Sequence, residues 1–167
     1  MIDFNSTTPK GGKYTKTQVW CTPPYIIEKL GGKHIFDLDP CQSDNIITET
    51  ALNYFFEKDD GLNQHWFGNI YCNPPYNDLG RWLDKMSLHN NGIVLCFLRS
   101  DTKAFQNHVK FATGINMIKG RIKFINENGD CDKPANAASC LIAWGEHNYQ
   151  RIKNIDGLYC RMDNLSI

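Results

Sequence analysis

Residues 69–98 read NIYCNPPYNDLGRWLDKMSLHNNGIVLCFL, and this stretch decides the fold. NIYC is a short apolar run that ends at a double proline. Leu79, Trp82, Leu83 and Met86 then recur at helical spacing with charges between them, which predicts an amphipathic helix over 78–89. GIVLCFL, residues 92–98, is continuously apolar and rich in large side chains, the pattern of a strand buried on both faces. Strand, helix and buried strand in succession predict an α/β layer architecture around a mostly parallel sheet flanked by helices.

The same alternation extends outward. PPYIIEKL, residues 23–30, predicts a helix with Thr22 as its N-cap and Pro23 at the first helical position, closed by Gly31 and Gly32. IFDLD at 35–39 and NYFF at 53–56 predict strands, as do short runs near 115–118 and 121–125 and ASCLIAW at 138–144. Phe105, Val109 and Ala112 mark a further helix, residues 126–137 a polar excursion, and the last twenty or so residues carry little pattern. With 167 residues the chain suits one compact domain, here residues 20–167, behind a polar N-terminal extension over 1–19. No apolar stretch reaches membrane-spanning length and the N-terminus has no signal-peptide core, so a cytoplasmic protein with no membrane partner is expected.

Seven cysteines stand singly, with no CxxC pair and no histidine at zinc spacing, so reduced thiols are expected and no metal. The five histidines suggest neither a metal site nor a triad, and Trp20, Trp66, Trp82 and Trp144 read as packing. Net charge is zero, yet it is unevenly laid out. From His34 to His65 there are seven acidic residues against Lys58; from Arg99 to Lys123 there are six basic residues against Asp101. That division suits two different ligands, or two solvated faces.

In open parallel sheets ligands bind beyond the carboxyl ends of the strands. DLDPC, CNPPYN and FLRSD all fall at such ends. At the second, each proline fixes φ and removes an N–H, so carbonyl oxygens are left without competing donors. Asn73 adds a side-chain acceptor and Tyr76 an aromatic face. Two converging acceptors beside a ring suit a planar base with an exocyclic amine, whose lone pair they would turn out of plane toward an electrophilic methyl group. A duplex base would first have to leave the stack. The same residues would also serve simply to end a strand.

The segments WCTPPYIIEKL, FDLDPCQSD, YFFEKDDGLNQHWFGNIYCNPPYN, LRSDTKAF and KGRIKF, in this order from about Trp20 to Trp144, resemble the small phage and prophage DNA N6-adenine methyltransferases. NPPY occurs in protein-glutamine, RNA and DNA methyltransferases alike; DDGLNQHW before CNPPYN and RSDT is much narrower. The resemblance implies a Rossmann-like class I fold and methyl transfer from S-adenosylmethionine to adenine N6 in DNA. RNA adenine, cytosine N4, a protein glutamine, or DNA binding without turnover are the alternatives. It implies catalytic roles for Asn73, Pro74, Pro75 and Tyr76. Cofactor contacts would come from Thr22, Pro23, Asp37, Asp39, Pro40 and Cys41, with Asp59 or Asp60 as further acceptors. Arg99, Lys103, Lys119, Arg121 and Lys123 would meet DNA phosphates, and Phe124 would wall the base pocket or pack in the core. One departure stands out: CQSDNIIT carries no glycine where a glycine-rich loop usually follows the first strand.

Overall fold

A computed structural model describes residues 20–126, 128–131 and 134–162; the expected extension over 1–19 lies outside them. Among the described residues seven strands form one sheet: β1 (Leu38–Asp39), β2 (Asn53–Tyr54), β3 (Ile70–Cys72), β4 (Gly92–Phe97), β5 (Gly114–Ile118), β6 (Ser139–Trp144) and β7 (Gly157–Arg161), in the spatial order β2-β1-β3-β4-β6-β5-β7. The helices are α1 (Pro24–Leu30), α2 (Leu79–His89), α3 (Lys103–Val109) and α4 (Glu146–Ile152).

The expected parallel sheet holds for half of the molecule. β2, β1, β3 and β4 pair in parallel, whereas β4–β6, β6–β5 and β5–β7 are antiparallel. The described residues between 119 and 138 contain neither strand nor helix, and β6 lies down antiparallel beside β5. Each central strand sends alternate residues to opposite faces, and both faces are covered. Ile70, Cys72, Val94, Cys96, Ile142 and Trp144 meet Trp82, Leu83 and Met86 of α2 and Phe105 and Val109 of α3. Tyr71, Ile93, Leu95, Leu141 and Ala143 meet Ile26, Ile27 and Leu30 of α1 and Tyr149 and Ile152 of α4. The continuous apolar reading of GIVLCFL is thus the sum of two interleaved faces.

Several expectations need correction. Pro23 is the N-cap of α1 and Pro24 opens the helix; Thr22 makes no cap and turns its hydroxyl inward. The strand expected over 35–39 shrinks to Leu38–Asp39 because Lys33–Ile35 first closes a 3₁₀ turn. Residues 121–125 form no strand beyond one antiparallel bridge, Cys21 to Ile125. The C-terminal stretch without pattern supplies α4 and the edge strand β7. No helix among the described residues is long and apolar enough to cross a membrane.

Register places the site. Leu38 aligns with Ile70 and Ile70 with Gly92, so Asp39, Cys72 and Phe97 end their strands at one edge. Phe97 is opposite Ser139, and Ile118 is level with that row, so the β5–β6 connection also emerges there. This carboxyl edge collects DLDPC, CNPPYN, FLRSD and the basic KGRIKF segment.

Candidate active site

The corner after β3 turns because Pro74 and Pro75 stop the ladder. Pro74 is buried, Pro75 exposed, and Tyr76–Asp78 form a single 3₁₀ turn before α2. Asp78 N–H approaches the Pro75 carbonyl at 3.4 Å, which removes that oxygen from the acceptor pair. Among the described residues no hydrogen bond reaches the Pro74 carbonyl or Asn73 Oδ1. Asn73 Nδ2 donates to the Trp20 carbonyl at 2.8 Å and to Thr22 Oγ1 at 3.3 Å. A flipped amide would press Oδ1 against a carbonyl oxygen, so the nitrogen faces inward and Oδ1 is left to accept.

Tyr76 lies flat on Phe97, with ring centroids 4.0 Å apart and planes 9° apart, and Phe97 meets Phe124 edge-on at 6.3 Å. β4 runs three residues beyond the level of Cys72, which brings Phe97 under Tyr76. Phe124 is buried in the core, so it supports the aromatic stack from beneath. The Tyr76 hydroxyl is buried without a partner among the described residues, and burial pushes its pKa upward, so the ring is a neutral phenol.

The end of β1 is joined to this corner. Cys41 Sγ is 3.5 Å from Cys72 Sγ, the residue before Asn73. Asp39 is buried; its carboxylate accepts from Cys41 N–H at 3.0 Å and from the Thr50 hydroxyl at 2.5 Å. Desolvation outweighs those hydrogen bonds and raises its pKa from 3.8 to about 6. Where glycines were missed, Gln42 does the holding: its side-chain amide donates to the Thr48 carbonyl and to Thr50 Oγ1. Gly61 packs so tightly on this loop that a Cβ would fall 1.9 Å from the Pro40 carbonyl oxygen. That contact brings half-buried Asp59 and exposed Asp60 to the end of β1; Asp59 Oδ2 accepts from Phe56 N–H and Asp60 Oδ2 from Asn63.

Asp37 is not part of this gathering. It precedes β1 at the opposite edge, where its carboxylate accepts from Asn69 N–H at 2.6 Å. Thr22 is buried, bonded to Tyr71 Oη and Asn73. The basic residues Arg99, Lys103, Lys119, Arg121 and Lys123 are all exposed; Arg99 is partly offset by Asp101 at 3.8 Å. Arg121 and Lys123 alternate with buried Ile122 and Phe124, so the segment anchors by one face and shows charge on the other. Trp66, Trp82 and Trp144 pack as expected, whereas Trp20 is 42% exposed and contributes its carbonyl to the site. Cys21, Cys72, Cys96 and Cys140 are buried free thiols; Cys131 and Cys160 are exposed. Reading along the chain missed Tyr71 and Phe97; a lone phenol within a buried strand was the available signal for the first.

The chain was compared with known proteins. The family model described as DNA N-6-adenine-methyltransferase (Dam) matches residues 6–161. Comparison with curated proteins and with solved structures gave no match. The family match spans nearly the whole sequence, including every segment of the carboxyl edge, and it indicates DNA adenine methyltransferase activity. The chain belongs to the DNA N-6-adenine-methyltransferase (Dam) family.

Proposed function

We propose that this protein transfers the methyl group of S-adenosylmethionine to the exocyclic N6 amine of adenine in DNA, on a Rossmann-like class I methyltransferase fold comprising residues 20–167. The observation that carries the reading is the acceptor corner: among the described residues Asn73 Oδ1 and the Pro74 carbonyl stand unengaged beside a Tyr76 ring backed by Phe97. Accepting the two amine hydrogens there orients the nitrogen lone pair out of the base plane. Tyr76 offers its other face to a base taken out of the stack, and Phe97 keeps that ring from tilting. After transfer the amine releases its proton to water, so no side chain is needed as a base.

The methyl donor suits the neighbouring residues. When bound, S-adenosylmethionine supplies an electrophilic methyl group on a cationic sulfonium. The close seat of Gly61 on Pro40 gathers Asp59 and Asp60 near Asp39, Pro40 and Cys41, a set of acceptors for a cation, an amine and ribose hydroxyls. Pro23 follows Thr22, which is hydrogen-bonded to Asn73 at the corner. Both Asp39 oxygens are already engaged, so Asp39 would act through its charge. Lys119, Arg121 and Lys123 after β5, together with Arg99 and Lys103 after β4, carry exposed charge suited to phosphates.

The test offers a methyl-labelled donor together with unmethylated duplex DNA, RNA and protein, followed by digestion to nucleosides. Label is expected in N6-methyladenine from DNA. Label in cytosine, in RNA or in protein glutamine overturns the substrate, and no label at all overturns the enzyme.

A further inference from the structure

An asparagine that must aim one oxygen at a reacting amine needs its amide plane held. Asn73 lies just past the end of β3, outside any regular element, where backbone geometry alone does not fix its side chain. Its Nδ2 has two hydrogens, and two acceptors take them: the Trp20 carbonyl at 2.8 Å and Thr22 Oγ1 at 3.3 Å. Thr22 is in turn 2.8 Å from Tyr71 Oη. Tyr71 is fully buried, tilted against Phe36 with centroids 5.4 Å apart, and its hydroxyl has only Thr22 as a partner among the described residues.

The proton placement follows from the partners. Thr22 Oγ1 accepts the Asn73 amide and keeps a further lone pair, which matches the Tyr71 phenol, a donor with no other acceptor among the described residues. Burial also keeps the Tyr71 phenol protonated, well above its ordinary pKa. Each member restricts the next, from a core ring to a surface amide.

We propose that Tyr71 and Thr22 are positioning residues that lock the Asn73 amide with its Oδ1 toward the amine. This rests on the proposed function, and it gives Thr22 a task distinct from the cofactor contact that its place in the TPP segment implies. Asn73 is held by residues 20 and 22 before α1, and Thr22 in turn by Tyr71 of β3, so the corner is built only when this segment is docked on the sheet.

The test compares Thr22→Val, Thr22→Ser and Tyr71→Phe by single-turnover methyl transfer at saturating donor and DNA. Thr22→Val is expected to slow transfer about tenfold or more, because misorienting a reacting group costs rate before affinity. Donor and DNA affinities stay within about twofold, and Thr22→Ser recovers most of the rate. Tyr71→Phe slows transfer less, and adding it to Thr22→Val does little more, since both act through one link. A Thr22→Val protein that binds the donor poorly yet transfers at the normal rate when saturated overturns the proposal. Hydrogen exchange of the Asn73 side-chain amide, followed by NMR without any substrate, separates this from failure of the functional reading. Exchange should quicken about tenfold in Thr22→Val, and unchanged exchange overturns the lock whatever the protein methylates.

Discussion

Asp37 and Asp39 are two residues apart, and the sheet carries their carboxyl groups toward opposite edges. At the amino edge Asp37 accepts from Asn69 N–H, Asn69 Nδ2 donates to the Ile35 carbonyl, and Asn148 Nδ2 reaches Asn69 Oδ1 and the Trp144 carbonyl. His89 and Asn91 both close on the Gly68 carbonyl. Among the described residues the Asn148 side-chain oxygen and the neighbouring Trp144 indole N–H have no partner; otherwise these side chains stitch strand starts together. At the carboxyl edge, among the described residues, Asn73 Oδ1, the Pro74 carbonyl and the Tyr76 hydroxyl have no partner, and a buried carboxylate is pushed toward neutrality. Polar groups satisfied inside the fold stabilise it; those left over mark where a ligand completes the bonding.

If that contrast is sound, damage at the two edges has different consequences. Gly68→Ala attacks the amino edge: φ is +66° and the new Cβ would lie 2.1 Å from Asp37 Oδ2. Left-handed backbone and overpacking together should cost roughly 3–4 kcal/mol. Denaturant unfolding should show that loss, while the folded fraction still transfers methyl groups at the normal rate. A stable but inactive Gly68→Ala protein would break the comparison.

Asp39→Asn probes the strain at the other edge. The wild-type carboxyl has its folded pKa raised from 3.8 to about 6, so the native state binds the proton more tightly than the unfolded chain. Its stabilising contribution is complete below pH 3.8 and is lost as pH rises through about 6, a total of about 3 kcal/mol. The asparagine does not titrate. The stability gap between variant and wild type, measured by urea unfolding, should open from near zero at pH 4 to about 3 kcal/mol in favour of the variant at pH 7. A gap that does not change with pH would mean that Asp39 is solvated.

These edges were not equally legible in the sequence. GIVLCFL could be read because both of its faces are buried, and the prolines announced the corner by removing donors. The carboxyl ends of three strands were therefore findable, and with them Asn73, Tyr76 and Asp39. Asp37 matched the same motif by spacing, but spacing does not say at which edge a two-residue strand begins. α4 hid because a buried Asn148 takes a core position where periodicity looks for an apolar residue. β7 hid because Leu158, Tyr159 and Cys160 are all exposed, so no alternation marks it. At 121–125 alternation was present without a partner strand: Ile122 and Phe124 point inward from a connection. The links from Thr22 to Tyr71 and from Tyr76 to Phe97 join residues 49 and 21 positions apart, and only the folded chain reveals them.

The central claim is that the corner after β3 performs the transfer by holding the amine. Single-turnover methyl transfer to duplex DNA by Asn73→Ala, with donor affinity measured on the same protein, tests it most directly. The account predicts a rate lower by on the order of a hundredfold or more, in a protein that still folds and binds the donor nearly as well. A wild-type rate in Asn73→Ala would place the chemistry elsewhere on the molecule.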